Sequence, residues 1–271
     1  MSKRRITLMD GATGTRLWEL AAAEGLGRAP VWTYNLTRPD LVRRVAEEYI
    51  AAGTRLLCSN TFTANAAEVA RVPDMDAETV VAAGVRIAKE AAAAADAEVR
   101  VALDVGPLST LLAPWGDTEP ERAREIFAGQ IGAGVAAGAD CVLLETFTGI
   151  AMLRIAAEEA KRHPLPVLCS LTFDRRGRTL MGETLDEIVS EIEPLGVASL
   201  GINCSFGPAS ALPVIRAYAE RTNLPLILKP NADCGAEDFA ETLVPVLPLV
   251  SYVGACCGSD PDYIRALAKR I

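Results

Sequence analysis

Short apolar runs alternate with amphipathic stretches along the whole 271-residue sequence, and this alternation restricts the fold more than any other feature. The short runs have the length and the β-branched or apolar composition of buried strands. They are Arg5–Met9, Arg55–Ser59, Val99–Val105, Cys141–Glu145, Val167–Phe173, Ala198–Cys204, Leu226–Pro230 and Tyr252–Ala255. Because continuous apolar strands that are covered by helices form parallel sheets, the pattern predicts an α/β protein.

Helical patterns lie between these runs. Pro39 opens the first of them at a first-turn position, and Gly53 ends it. The predicted helices are Asp40–Ala52, Thr79–Ala95, Pro120–Ala137, Ile150–Arg162, Leu185–Glu193, Ala209–Glu220, Ala236–Val246 and Pro261–Arg270. Strands that are each followed by a helix, over a length near ~250 residues, predict a (β/α)8 TIM barrel.

An open doubly wound sheet has nearly the same alternation of strands and helices. Its dinucleotide-binding fingerprint, Gly-x-Gly-x-x-Gly after the first strand, is missing, because Gly11-Ala-Thr-Gly14 is too short and lacks the third glycine. The sequence has no linker, low-complexity tract or change of composition. We therefore predict one barrel domain over residues 1–271.

Composition excludes several classes of protein. A formal net charge of −8 provides no basic surface for nucleic acid or for an anionic membrane. No apolar run approaches the ~20 residues of a membrane span, and the N-terminus has no signal-peptide core. The single histidine, His163, lies in a Lys-Arg-His-Pro segment typical of a solvated helix end, so catalytic triads and multi-histidine zinc sites are disfavoured. An odd number of cysteines without a signal peptide favours a reduced, cytoplasmic protein.

Thiol side chains gather at the ends of predicted strands, where barrel enzymes place their active sites. Cys204 ends the sixth strand, and Cys256 and Cys257 follow the eighth. Both strands flank the seventh, so their ends should lie close together. Adjacent residues of a regular strand face opposite sides, so the strand must break at the pair, and Gly254 and Gly258 allow such a break. Three thiolates with one open position suit catalytic Zn²⁺, with buried structural thiols or a vicinal disulfide as alternatives.

The other cysteines have different surroundings. Cys58, Cys141 and Cys169 lie within predicted strands, which is typical of small core residues. Cys234 follows the seventh strand on the same rim as the three candidate ligands. It is either a spare thiol or a competing ligand.

Two carboxylates also end predicted strands. Barrel closure places the first strand beside the eighth, so Asp10 should lie next to the cysteine pair, and Glu145 ends the fourth strand. Each could bind a substrate ammonium, or form a cap or loop hydrogen bond. The Gly11-Ala-Thr-Gly14 turn after Asp10 exposes backbone N–H groups that suit a carboxylate.

Taken together, these strand-end segments resemble the homocysteine S-methyltransferase family, which includes cobalamin-dependent methionine synthase and the betaine- and S-methylmethionine-dependent enzymes. The resemblance spans nearly the whole chain, in family order. It is carried by Asp10-Gly-Ala-Thr-Gly-Thr15, Asn60-Thr-Phe62, Gly106-Pro107, Glu145-Thr-Phe147, Gly201-Ile-Asn-Cys204, Pro230-Asn-Ala232 and Gly254-Ala-Cys-Cys-Gly258.

The resemblance implies a (β/α)8 barrel in which Cys204, Cys256 and Cys257 hold one Zn²⁺ per chain and serve catalysis. It also implies that Asp10 and Glu145 bind the amino group of homocysteine. The remaining implied substrate-binding residues lie in the turn that receives the substrate carboxylate or at strand ends, and they are Gly11, Ala12, Thr13, Gly14, Thr15, Asn60 and Asn203.

The implied reaction transfers a methyl group to the zinc-bound thiolate of homocysteine and gives methionine. The donor is a small onium compound or methylcobalamin carried by a separate corrinoid protein. The alternative function is a zinc-binding, non-catalytic partner or subunit that retains the barrel. A zinc hydrolase is disfavoured, because an all-thiolate site activates water poorly compared with sites built on histidine.

The sequence departs from the family pattern near the last two strands. Ala255 replaces the second of two glycines that precede the cysteine pair, and Asp233 replaces the glycine after Pro-Asn-Ala. The stretch from Asn231 to Cys256 is also shorter than usual. A shorter rim segment predicts a more open mouth, which suits a methyl-carrying partner protein or a differently shaped small donor.

Overall fold

The strands of this chain close into one parallel barrel. The computed structural model describes residues 6–271. In chain order the strands are β1 (Thr7–Leu8), β2 (Leu56–Cys58), β3 (Arg100–Val105), β4 (Cys141–Phe147), β5 (Val167–Leu171), β6 (Leu200–Asn203), β7 (Leu226–Lys229) and β8 (Tyr252–Val253). They pair in the order β1-β8-β7-β6-β5-β4-β3-β2, and a parallel bridge between Met9 and Leu56 joins β1 to β2. The predicted (β/α)8 TIM barrel is confirmed.

The predicted strands are correct in order, but most are longer than the observed ones. Cys204 and Ala255 were predicted as strand ends, and they lie just beyond β6 and β8 because the chain turns away at the mouth of the barrel. In contrast, β4 runs on to Phe147 through a register shift that begins after Leu144. Arg5, the first residue of the first predicted strand, lies outside the described residues, as do residues 1–4 of the predicted domain.

Helices cover the outside of the barrel. Within residues 6–271 they are α1 (Thr13–Ala23), α2 (Tyr34–Thr37), α3 (Pro39–Ala52), α4 (Ala66–Val69), α5 (Ala77–Ala93), α6 (Pro120–Ala136), α7 (Ile150–Ala160), α8 (Leu185–Ile192), α9 (Pro208–Ala219), α10 (Ala236–Leu243) and α11 (Pro261–Ala268). Short 3-10 segments occupy Val31–Thr33, Glu193–Leu195 and Val244–Leu249. Across the same residues, no helix is both long and apolar enough to cross a membrane.

The helix ends follow the capping chemistry of the sequence. As predicted, Pro39 begins α3 and Gly53 ends it, with a left-handed φ of 118°. The fifth helix begins two residues before its predicted start, because Asp76 accepts a hydrogen bond from the Thr79 N–H at 2.8 Å and caps it.

The predicted turn at Gly11–Thr15 is wrong for most of its length, because helix α1 occupies it. Only the first residues of that segment are non-helical, since the helix begins at Thr13. Its N-terminal neighbour Ala12 offers no capping side chain, so the sequence carries no start signal there. The helix is held instead by tertiary packing, with Leu17 and Leu20 buried on the side that contacts α3.

Apolar side chains fill the interior of the barrel. The cluster comprises Met9, Leu56, Cys58, Ala102, Cys141, Leu143, Leu168 and Ile227. A larger core lies between the barrel and its helices and includes Cys169. As predicted, Cys58, Cys141 and Cys169 are buried core residues. Because residues two apart on a strand face the same side, Asp104, Glu145 and Lys229 form the next inward layer toward the mouth.

Candidate metal and substrate site

Three cysteines lie together at the mouth formed by the C-terminal ends of the strands. The Sγ atoms of Cys204, Cys256 and Cys257 all lie within 4.8 Å of one another, and those of Cys204 and Cys257 are 3.2 Å apart. Sulfur ligands about 2.3 Å from a tetrahedral zinc ion lie about 3.8 Å from one another. The three sulfur atoms therefore fit a single zinc ion and leave one coordination position for a substrate.

The end of β6 places the Cys204 side chain. Cys204 has a φ of 48°, in the left-handed region that non-glycine residues rarely occupy. Its N–H donates to the carbonyl oxygen of Lys229 at 3.2 Å, which ties it to the neighbouring strand β7. A strained residue held by its surroundings is typical of a functional position.

The cysteine pair lies in a turn after β8, and this confirms the predicted break in the strand. Both the N–H and the hydroxyl of Ser259 donate to the carbonyl oxygen of Cys256, at 3.1 and 2.7 Å. Gly258 supplies a left-handed φ of 83°. Ala255 is fully buried and donates its N–H to the Asp10 carbonyl oxygen at 3.1 Å, so the structure accommodates its methyl group.

The three thiols differ in pKa because they are hydrogen-bonded to one another. Hydrogen bonds from Cys204 and Cys256 lower the pKa of Cys257 to about 3. The hydrogen bond that Cys204 accepts from Cys256 lowers the pKa of Cys204. The bond from Cys204 to Cys257 and the burial of Cys204 have the opposite, larger effect, and the pKa of Cys204 is raised to about 11. Bonds to Cys204 and Cys257, together with burial, raise the pKa of Cys256 well above its ordinary value. One thiolate flanked by two thiols is a donor set that suits a thiophilic cation.

Asn203 supports the cluster from beneath. Its Oδ1 accepts hydrogen bonds from the Thr146 N–H and the Ser170 hydroxyl, both at 2.8 Å. Its Nδ2 donates to Thr146 Oγ1 at 2.6 Å and lies 3.9 Å from the Sγ of Cys256. The side chain joins three strands to one candidate metal ligand, and the residue has no exposed surface.

A buried lysine lies beside the cysteines, and sequence reasoning assigned it no role. Lys229 is 2% exposed, and its Nζ donates to Glu145 Oε2 at 2.9 Å, Asp10 Oδ1 at 3.4 Å and Cys58 Sγ at 3.6 Å. Burial lowers the pKa of Lys229, but the facing Cys58, Glu145 and Asp10 groups outweigh it and hold the pKa well above its ordinary value. Its inward-facing position at the end of β7 was the available signal.

The two predicted carboxylates meet on this lysine. Asp10 is fully buried, and its Oδ2 accepts a hydrogen bond from the Cys58 N–H at 2.6 Å. Glu145 is 7% exposed and lies in the register shift of β4, next to Thr146 with its left-handed φ of 66°. Such irregularities redirect side chains at the ends of barrel strands.

Asp104 is a third carboxylate in the same layer, which sequence reasoning also left without a role. It is 7% exposed, and no hydrogen-bond partner for its buried Oδ1 is found in the described part of the chain. Burial, followed by the charge of Glu145, raises the pKa of Asp104 well above its ordinary value.

The first turn of α1 lies beside this layer. The Ala12 N–H donates to the Ser259 hydroxyl at 3.1 Å, which links the helix to the cysteine turn. Gly11 is required there, since a Cβ atom would lie 2.6 Å from that hydroxyl. No side chain caps the helix, and the Thr13 N–H donates to the Gly11 carbonyl oxygen at 3.1 Å, so the N–H groups of Gly14 and Thr15 are those of the first turn that point freely toward its N-terminal end.

Asn60 is committed to local structure. Its Nδ2 donates to the Val31 carbonyl oxygen and to Asn35 Oδ1, both at 2.8 Å, and its carbonyl oxygen accepts from Asn35 Nδ2 at 2.9 Å. These bonds hold α2 and the segment before it against the chain that follows β2.

Two other sequence candidates lie apart from the cluster. The group of metal-capable side chains found in residues 6–271 contains the three cysteines and not Cys234, whose carbonyl oxygen accepts from the Tyr263 hydroxyl at 2.7 Å. His163 follows the end of α7, as predicted, and its N–H donates to the Ala160 carbonyl oxygen at 3.1 Å.

A cavity of about 460 Å³ opens on the same rim. It lies between the loop that precedes α6 and the start of α7, and most of its lining is apolar, including Met152 and Ile155. Trp115, at its edge, is 75% exposed. The rim thus offers a second recess besides the charged layer.

Comparisons with known proteins identify the family and the relatives of this chain. A family model described as homocysteine S-methyltransferase matches residues 7–271. The methionine synthases of Mycobacterium leprae (strain TN) and Mycobacterium tuberculosis (strain ATCC 25618 / H37Rv) are 30% and 28% identical to the chain over alignments that are 302 positions long. Those alignments cover 99% of this chain but 24% and 25% of the two relatives. The chain therefore spans about a quarter of the length of the curated relatives that it matches.

Solved structures show the same fold. The oxidised form of the homocysteine methyltransferase MmuM from Escherichia coli superposes with a TM-score of 0.85 at 25% identity, covering 98% of this chain and 96% of that one. Its metallated form gives a TM-score of 0.84 at 24% identity, with coverages of 99% and 97%.

Proposed function

The chain belongs to the homocysteine S-methyltransferase family, and we propose that it transfers a methyl group to the sulfur of homocysteine and so forms methionine. The observation that carries this proposal is the cluster of three sulfur atoms within 4.8 Å of one another, beside a layer of buried carboxylates. A thiol amino acid needs both a site for its sulfur and a site for its ammonium group. The mouth of this barrel offers the two side by side.

Zinc held by Cys204, Cys256 and Cys257 would lower the pKa of the incoming thiol from its usual value near ~8.5, so that the sulfur is a nucleophile at neutral pH. The donor set fits zinc because three soft sulfur ligands converge and leave one position free. Asn203 orients Cys256 by donating toward its sulfur atom.

The other side chains bind and orient the amino acid. Glu145 and Asp10 place carboxylate oxygens beside the position of the ammonium group, and Lys229 pairs with both of them within the barrel. The first turn of α1 presents N–H groups to the substrate carboxylate. With both ends held, the sulfur can approach a methyl group in line.

The displacement requires no protein base. The thiol proton passes to solvent before the transfer. A bond then forms between the sulfur and the methyl carbon, and the bond between that carbon and the donor breaks with its electron pair staying on the donor. The absence of a histidine from the described site is consistent with this chemistry.

The donor belongs to one of two classes: a small onium compound, or a methylcorrinoid carried by a separate protein. Both deliver a methyl group to a thiolate. The cavity of about 460 Å³ on the same rim is a candidate place for a small donor.

A donor panel tests the proposal. The reduced, zinc-loaded chain is incubated with homocysteine and, in turn, S-methylmethionine, betaine, other sulfonium compounds and a methylcobalamin protein, and methionine is measured. We expect methionine with at least one donor and its loss in Cys256→Ala, with Cys234→Ser as the matched control. Zinc binding without methionine for any donor overturns the proposal in favour of a non-catalytic zinc-binding subunit. Zinc and methyl transfer both retained in Cys256→Ala overturn the ligand assignment.

A further inference from the structure

The N–H groups of the buried lysine are fully used inside the protein. Lys229 has three ammonium hydrogens, and three acceptors surround it: Glu145 Oε2, Asp10 Oδ1 and Cys58 Sγ. It therefore has no free donor for a substrate carboxylate. The groups of this layer that remain available to a ligand are carboxylate oxygens.

The three carboxylates differ in whether a ligand can reach them. Asp10 has no exposed surface, and Lys229 and the Cys58 N–H occupy one oxygen each. Glu145 and Asp104 are each 7% exposed, so these two residues keep some accessible surface, although Asp104 Oδ1 itself is buried. They are the carboxylates of this layer that a ligand can approach.

Asp104 lacks the partners that a buried carboxylate normally has. The side chains of Asp10 and Glu145 share the one cation of the layer, whereas Asp104 Oδ1 has no hydrogen-bond donor among residues 6–271. A buried acceptor without a partner is costly, and a buried charge without one costs more. The layer has three carboxyl groups but one lysine, so a second cation could pair with the carboxyl group that Lys229 does not contact.

From this geometry we propose that Asp104 is a direct ligand of the substrate ammonium group and binds it together with Glu145. The inference rests on the proposed function, since it takes the cation to be the amino group of homocysteine. Asp10 acts in this arrangement by holding the lysine.

The raised pKa of Asp104 agrees with this assignment. Its cause is burial followed by the charge of Glu145, and an arriving ammonium group would offset both effects.

The test compares homocysteine with 4-sulfanylbutanoate, which has the same thiol and carboxylate but no amino group. Affinities for the zinc-loaded chain are measured by calorimetry without any donor. We expect Asp104→Asn to weaken homocysteine binding by about 10- to 100-fold, the range for a lost hydrogen bond to a charged group, and to leave 4-sulfanylbutanoate binding nearly unchanged. In turnover, KM for homocysteine should rise with little change in kcat.

The controls separate a contact from a structural effect. Glu159→Gln alters a carboxylate that is also buried but lies on α7 and pairs with Arg124, so the preference for homocysteine should be unchanged. Asp104→Ser provides a second variant in case the asparagine variant does not fold. A general distortion of the site would weaken both ligands equally.

The possible results are distinct. If the unaltered chain binds homocysteine and forms methionine, but both Asp104 variants keep the full preference over 4-sulfanylbutanoate, the inference is wrong and the proposed function stands. If the unaltered chain neither binds homocysteine nor forms methionine, the proposed function itself fails.

Discussion

At the scale of single residues, the site is organised around one buried cation. Lys229 joins Asp10 on β1–α1 to Glu145 on β4, across the width of the barrel. Removing one partner of a buried ion pair leaves an uncompensated charge, so these positions constrain one another. Asp104 is the exception, because it shares the layer without a pairing contact in the described chain. It should therefore reduce stability in the absence of substrate.

That reduction has a predictable pH dependence. The pKa of Asp104 is raised in the folded state, so the fold favours the protonated carboxyl group over the ionised one. This contribution to the free energy of unfolding is fully present below the unfolded pKa of ~3.9 and is lost as the pH rises toward the folded pKa. Asp104→Asn should match the unaltered chain in unfolding free energy at about pH 3.5 and become increasingly more stable above it, by at most about 1.4 kcal/mol per pH unit. Urea unfolding of the reduced protein between pH 3.5 and 9 measures this. A difference that shrinks with rising pH contradicts the argument.

The cysteine cluster predicts selective alkylation. Because its pKa is lowered to about 3 and it is exposed, Cys257 should react with iodoacetamide at pH 6 in the zinc-free reduced chain. Cys204, with its pKa raised to about 11, and the buried Cys141, with its pKa raised to about 12, should be unmodified. Peptide mass spectrometry gives the site, and added zinc should protect it. Equal modification of Cys204 at pH 6 would show that the thiols do not share protons in this way.

At the scale of elements, helix ends were predictable where a side chain or glycine marks them. Pro39 and Gly53 define α3 in the sequence and in the structure. Helix α1 was missed because Ala12 gives no cap, and tertiary contacts, chiefly with α3, hold it. The cysteine positions were predictable from strand order alone. The pairing of Lys229 with Asp10 and Glu145 was not, since it depends on register across β1, β4 and β7, which neither composition nor spacing encodes.

The end of α3 provides an element-level prediction. Gly53 has a φ of 118°, and an added Cβ would lie 3.1 Å from the Ala268 Cβ and 3.3 Å from Leu8 Cδ2. Gly53→Ala should therefore lower the unfolding free energy by about 2–3 kcal/mol, from backbone strain plus crowding. Gly25→Ala is the matched control, because Gly25 also has a positive φ, 73°, but no atom within 4 Å, so about 1 kcal/mol is expected. Equal losses in urea unfolding would exclude a packing contribution.

At the scale of the whole molecule, the candidate ligands come from two strand ends that are far apart in sequence and separated by one strand in the barrel. Cys204 follows β6, the cysteine pair follows β8, and β7 lies between them. An ion bound there would link parts of the ring that the unfolded chain does not hold together. Metal binding should therefore stabilise the entire barrel.

The corresponding prediction is a thermal shift that depends on the exposed ligand. At a zinc concentration 100 times the dissociation constant, binding adds about 2.7 kcal/mol, which corresponds to a rise in Tm of about 5–11 °C for a domain of this size. Cys257→Ser should remove the rise with little effect on the zinc-free Tm, because Cys257 is exposed and lies outside the core. Cys234→Ser, a change on the same rim outside the cluster, should retain the full rise. Calorimetry of the reduced proteins measures these Tm values. If the zinc-dependent rise persists in Cys257→Ser, the metal binds elsewhere. If the rise is lost only in Cys234→Ser, Cys234 is the ligand instead of Cys257.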